Sequence, residues 1–229
     1  MHTRSRFVLA FLAILCLGAA TASADWYDGF ESYPAGGGVD GMGGWAGWNG
    51  DSAADAIVTD LLAFAGSQSL AVAGACDIVQ AFSGYTAGVW HLSAWMYIPT
   101  DYSGETYFIV LNTYEPNGTQ NWSTQIHFVD GSIIVDIGGG TASYITGEWV
   151  EVMLVIDLES DLQSFYYDGT LVSQWSWTEG MSGGGALNIG CIDLYANGAT
   201  PVYYDEMRLE PATVAVEQKS FSQVKSLFR

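Results

Sequence analysis

The stretch "VWHLSAWMYI", residues 89–98, limits what this chain can fold into more than any other. Trp90, Leu92, Ala94, Met96 and Ile98 alternate with His91, Ser93, Trp95 and Tyr97. Period-two alternation sends the first set to one face of a sheet and the second to the other. The apolar set is buried only if a second layer covers it, so one sheet is not enough. "STQIHFV" behaves alike, with Thr124, Ile126 and Phe128 opposite Gln125, His127 and Val129. No apolar stripe of useful length at helical spacing occurs before residue 219.

The rest of the body repeats this pattern in short segments broken by glycine, which occupies 28 positions. Strands are expected at 26–31, 69–73, 89–98, 106–113, 123–129, 132–137, 149–157, 164–167, 171–175, 186–195 and 202–210. That many short strands in one domain predict an all-β, two-sheet antiparallel sandwich of jelly-roll type.

Both ends differ from this body. Residues 1–24 carry His2, Arg4 and Arg6, then an apolar run from Phe7 to Leu17, then Ala22-Ser23-Ala24. This predicts a secretory signal peptide cut after Ala24, and therefore a secreted, extracytoplasmic protein. No later apolar run approaches the ~20 residues of a membrane span. The body is 25–210, and 211–229 reads as a linker and a short amphipathic tail. In that tail Ser220 and Gln223 suit a capping box, and Phe221, Val224, Leu227 and Phe228 share one helical face.

Charge narrows the ligand. Loss of the signal removes two of six Lys and Arg and none of 25 Asp and Glu, taking the formal charge from −19 to −21. Within the body Arg208 is the one Lys or Arg. Nucleic acid is excluded, because its phosphates need cationic side chains, and a highly anionic polysaccharide is disfavoured for the same reason. A neutral sugar, a cation or a basic partner fits better. Cys76 and Cys191 remain after the signal is lost, either as a disulfide in an oxidising compartment or as two buried thiols.

"GSQSLAV", "GEWVEVMLVIDLESDLQSFYYDGTLV" and "GCIDLYANGATPVYYDEMRLE", with "GFESY" before them, occur in an order that resembles concanavalin A-like and laminin-G-like jelly-roll domains of secreted bacterial type. The resemblance implies a "YYDG" hairpin. It also implies a structural Ca2+ held by Glu31 of "GFESY" and Asp205 of "YYDE", with Glu206 where the family has a second Asp. Alternation in "VYYDEMRLE" points the same way. It puts Asp205 with Tyr203, Met207 and Leu209, so a carboxylate faces the core and needs a counter-charge, unless it sits at a strand edge where solvent or backbone N–H groups satisfy it. Calcium suits that role, and Asp28 or a carbonyl near 66–69 would complete its shell.

Enzyme signatures are mostly missing. The one E-x-D, at Glu159 and Asp161, lacks a third acid and falls in a turn. Gln125-Ile126-His127 matches a triplet of jelly-roll alginate lyases, but the cations such a lyase needs to support an enolate-like charge are absent. The chain therefore reads as a non-catalytic binding or adhesion module for neutral glycan or a cell-surface component. The expected ligand residues are Trp95 and Tyr97, with His91 and Trp122 beside them, since aromatic faces stack on sugar rings. A polysaccharide-degrading enzyme, whether glycoside hydrolase or alginate-lyase-like, and a structural envelope or matrix protein are the alternatives.

Overall fold

The structure is a computed structural model that describes residues 25–212, so the expected signal peptide and C-terminal helix lie outside the described residues. It contains fifteen strands: β1 Trp26–Asp28, β2 Trp45–Gly47, β3 Ile57–Thr59, β4 Ser69–Gly74, β5 Asp77–Ala81, β6 Val89–Tyr97, β7 Glu105–Tyr114, β8 Gln120–Val129, β9 Ser132–Val135, β10 Thr141–Ser143, β11 Trp149–Asp157, β12 Leu162–Tyr167, β13 Thr170–Ser176, β14 Cys191–Asn197 and β15 Ala199–Pro211. Two antiparallel sheets form a sandwich. The first runs β13-β12-β11-β6-β15-β4-β3, with β1 also on β15, and the second runs β10-β9-β8-β7-β14-β5-β2. All eleven expected strands are present. Among the described residues, no helix is long and apolar enough to cross a membrane.

Alternation builds the core as the sequence predicts. In β6, Leu92, Ala94 and Met96 are buried between the sheets, and β8 contributes Ile126 and Phe128. Trp45, Trp177, Tyr204 and Phe108 fill the same continuous cluster. Hairpins close on residue pairs with positive φ: Asp130-Gly131 between β8 and β9, and Asp168-Gly169 in "YYDG" between β12 and β13. That is the backbone a two-residue turn needs to match strand twist.

The alternation reading fails in one place that matters. The sequence pattern groups Asp205 with Met207 and Leu209, but the β15–β6 register slips between Asp205 and Arg208, where Glu206 takes φ 49°. This bulge inserts one residue, so the faces change across it. Asp205 instead pairs with Trp95 on the outer face of the first sheet, and the 64–65 segment covers it.

The four strands that the sequence reading lacks are β2, β3, β5 and β10. Three have only three residues, too few for alternation to register. The fourth, β5, opens on Asp77.

Candidate functional site

The outer face of the second sheet carries a second, smaller apolar cluster. Val79, Ile109, Leu111 and Cys191 come from β5, β7 and β14, with Trp48, Tyr107, Trp122 and Tyr195 packed against them. The face opens into a groove of about 550 Å3. Trp48, Trp122 and Tyr195 line it together with Gln120, Gln125, Met181, Asp77 and Asp193.

Hydrogen bonds fix both walls. Trp48 opens a single 3-10 turn, and the next residue, Asn49, takes φ 55°. Asn49 Oδ1 accepts from Asn117 N and Gln120 Nε2, each at 2.7 Å, while Asn49 N donates to Tyr114 Oη at 3.0 Å. Trp48 is thereby held 5.7 Å from Trp122, ring centre to ring centre. The opposite wall is the 178–185 loop. Its Met181 N donates to Trp122 O at 3.0 Å. A Cβ at Gly180 would stand 1.8 Å from that same carbonyl oxygen, so only glycine allows the approach. Buried Asn112 anchors the loop's end by accepting from Ala186 N at 3.1 Å.

Two acids stand in this groove. Asp77 pairs with Tyr195 across β5 and β14, which puts Asp193, two residues back on the same face, diagonal to it. Asp193 is 3% exposed, and the buried Oδ1 of each acid accepts no hydrogen bond. Burial, and then the charge of Asp77, push the Asp193 carboxyl well above the usual carboxylate range. Burial also raises Asp77, while the Asp193 carboxyl offers it a stabilising hydrogen bond. Two facing acids that are both raised hold a shared proton between them more readily than free carboxyls do. Among the described residues no Lys or Arg faces the pair. Arg208, the body's one Lys or Arg, lies on the first sheet, bonded to Glu206 and 5.1 Å from the Tyr27 ring.

No family model and no curated protein matches the sequence. Solved structures share its fold. One is a sialidase at 12% identity and TM-score 0.54, matched over 85% of this chain and 19% of that one. Another is Trypanosoma rangeli sialidase with difluorosialic acid, at 13% identity and TM-score 0.50, over 76% of this chain and 29% of that one. A third is a conserved carbohydrate esterase from Shiga toxin-encoding bacteriophage phi24B, at 15% and 0.50, over 74% of this chain and 91% of that one. The likeness is one of fold. This chain spans only a small part of the sialidases' length.

The residues expected from sequence to bind ligand do not converge. Trp95 lies under Phe64, with ring centres 3.9 Å apart and planes 9° from parallel, on the outer face of the first sheet. Tyr97 packs near Trp149 and Tyr203 on that face, and His91, half-buried, pairs with Val155 and Glu210. Trp122 alone reaches the groove.

Glu31 and Asp205 flank one loop, as a shared calcium would require. Their oxygens, however, already face donors. Glu31 accepts from Ser67 N at 2.7 Å, Gln68 N at 2.8 Å and Ser67 Oγ at 2.8 Å. Asp205 accepts from Phe64 N, Ala65 N and Glu206 N at 2.7–3.0 Å. Asp28 accepts from Phe30 N, Tyr33 Oη and Trp45 Nε1. A hard cation needs oxygen ligands, and these carboxylates are engaged by N–H and O–H groups. The Ser67 bonds lower the Glu31 pKa, whereas burial raises that of Asp205.

Cys76 and Cys191 are free, buried thiols. The first belongs to the core between the sheets and the second to the outer cluster, so the second sheet separates them and the bridge alternative does not hold. Of the lyase-like pair, Gln125 donates to Asp136 at 2.7 Å and His127 stacks on Tyr107 at 4.2 Å, with no cation beside either.

The sequence reading missed Trp48, Asp77 and Asp193. Asp193 had a signal, an acid at the centre of "CIDLYA" on the face of Cys191 and Tyr195. Asp77 had none without the strand pairing.

Proposed function

We propose that this protein is a secreted, non-catalytic glycan-binding module of the concanavalin A-like and laminin-G-like kind, with its ligand in the groove of the second sheet. The observation that carries this is the wall chemistry. The indoles of Trp48 and Trp122 line the groove together with carboxyl, amide and phenol groups, and sugar rings bind by packing an apolar face on aromatic side chains while hydroxyls meet polar groups at the edge. Structural neighbours that include sialidases and a carbohydrate esterase support a glycan-related role. Among the described residues no Lys or Arg lines the groove, which disfavours acidic glycans. Phe64 already occupies the face of Trp95, so the groove replaces that residue's surroundings as the binding surface.

Asp77 and Asp193 raise an enzymatic alternative. Retaining glycosidases hold their two carboxyls about 5–5.5 Å apart so that each can act on the sugar.

The test is a glycan array followed by calorimetry on the best ligand. Trp122→Ala should weaken binding by about 2 kcal/mol, as central aromatic anchors do, without changing the far-UV spectrum. Unchanged affinity in Trp122→Ala and Trp48→Ala would refute the groove. Release of reducing ends from the bound glycan would establish the enzyme.

A further inference from the structure

We propose that the floor of this groove recognises an amino group, and that the preferred ligand is a glycan of hexosamine units whose nitrogen is not acylated. The inference rests on the glycan-binding reading and narrows its ligand class.

The body's other fully enclosed acids show what the fold does with a buried carboxylate. Asp28 and Asp205 each collect three N–H or O–H donors from neighbouring backbone and side chains. Asp193 is equally buried and collects none, and its partner Asp77 has an orphan oxygen as well. A buried charge without donors is costly, and such pairs are found where something else completes them. Here the pair lines an open groove, so a ligand can be what completes it.

Chemistry selects the ligand group. An ammonium brings three N–H donors and a positive charge, enough to meet both carboxylates at once, and it displaces the shared proton to solvent so that charge balances. A hydroxyl brings one donor and no charge, and an N-acetyl group brings one N–H and added bulk. The walls agree with a cation, because the indoles of Trp48 and Trp122 line the groove beside the acids. The charge of Asp51, which also acts on Asp77, adds to the negative field.

The strongly acidic surface would attract any polycation, so the probe must be short and the variant local. Calorimetry at physiological salt compares a glucosamine trisaccharide, its N-acetylated counterpart and a glucose trisaccharide. The expected result is that the free-amine sugar binds at least about tenfold tighter, ~1.4 kcal/mol. The ratio should fall toward one in Asp77→Asn/Asp193→Asn, which removes two of 25 acids and leaves the surface charge almost intact. Asp193→Asn alone, nearly isosteric with the protonated acid, serves if the double variant does not fold.

Equal affinity for all three sugars overturns the amine preference and leaves the glycan reading standing. Binding of none, with no hit on the array, overturns both. A preference that persists in the folded variants assigns it to the general surface and overturns the site, and trilysine binding as tightly as the sugar overturns the assignment to a glycan.

Discussion

Asp205 and Asp193 are the same residue type on central strands of the two sheets, both on outer faces and both enclosed, yet their surroundings are opposite. Over Asp205 the 64–68 segment folds down, gives it backbone N–H groups and seals Trp95 with Phe64. Over Asp193 no described segment delivers a donor, and the loops stand back as walls around a groove. The first carboxylate is a fastening for a loop. The second is held at a cost to stability, which is how binding sites commonly differ from the structure around them.

The comparison breaks most easily at Asp205. Asp205→Ala strips three backbone N–H groups of their acceptor and should destabilise by about 3 kcal/mol, since each orphaned buried donor costs of order 1–3 kcal/mol. Chemical denaturation measures it, and a loss under 1 kcal/mol would mean the loop is not fastened there. The opposite sign is expected at Asp193. Asp193→Asn keeps a donor toward Asp77 and removes the need to ionise, so near pH 8 it should stabilise by about 1–2 kcal/mol.

The pH dependence sharpens the contrast. Asp193, Asp77 and Asp205 have folded pKa values raised above the unfolded ones, so they bind protons more tightly when folded. Their contribution is fully present below about pH 4 and is lost as pH rises through the folded values, at no more than ~1.4 kcal/mol per pH unit per group. The lowered acids Glu31, Asp157 and Asp161 act in the opposite sense, but only below about pH 4. Wild-type stability should therefore decline as pH rises above about 4, through the raised folded values, and Asp193→Asn should flatten the decline. A curve that is level in the wild type contradicts the shared proton.

Phe64 is 41% exposed, so Phe64→Ala should cost only about 1 kcal/mol, well below a full core truncation. It should also raise the quenching of Trp95 fluorescence by acrylamide. If the uncovered first-sheet face then binds glycan, it is a latent second surface. The smallest expected effect is that of calcium. With Glu31 and Asp205 saturated by N–H and O–H donors, melting in chelator and in millimolar Ca2+ should agree, and a rise with calcium would show the loop rearranging around a metal.

Sequence alone determined the class of the fold and its interior. The alternation of β6 and β8, the "YYDG" turn and the lack of helical stripes are local properties, set by backbone geometry within a few residues, and they remained true in three dimensions. The one local inference that failed, at Asp205, failed because a single residue in αL conformation reverses every face beyond it, and nothing in "YYDEMRLE" marks Glu206 as that residue. The groove belongs to tertiary structure. Asp77 and Asp193 are 116 positions apart and become a pair only through the register of β5 on β14. Trp48 and Trp122 face one another because Asn49 bonds to a distant hairpin. A carboxylate's partners, or their absence, depend on which chain segment arrives above it, and that is decided by the packing of the whole sandwich.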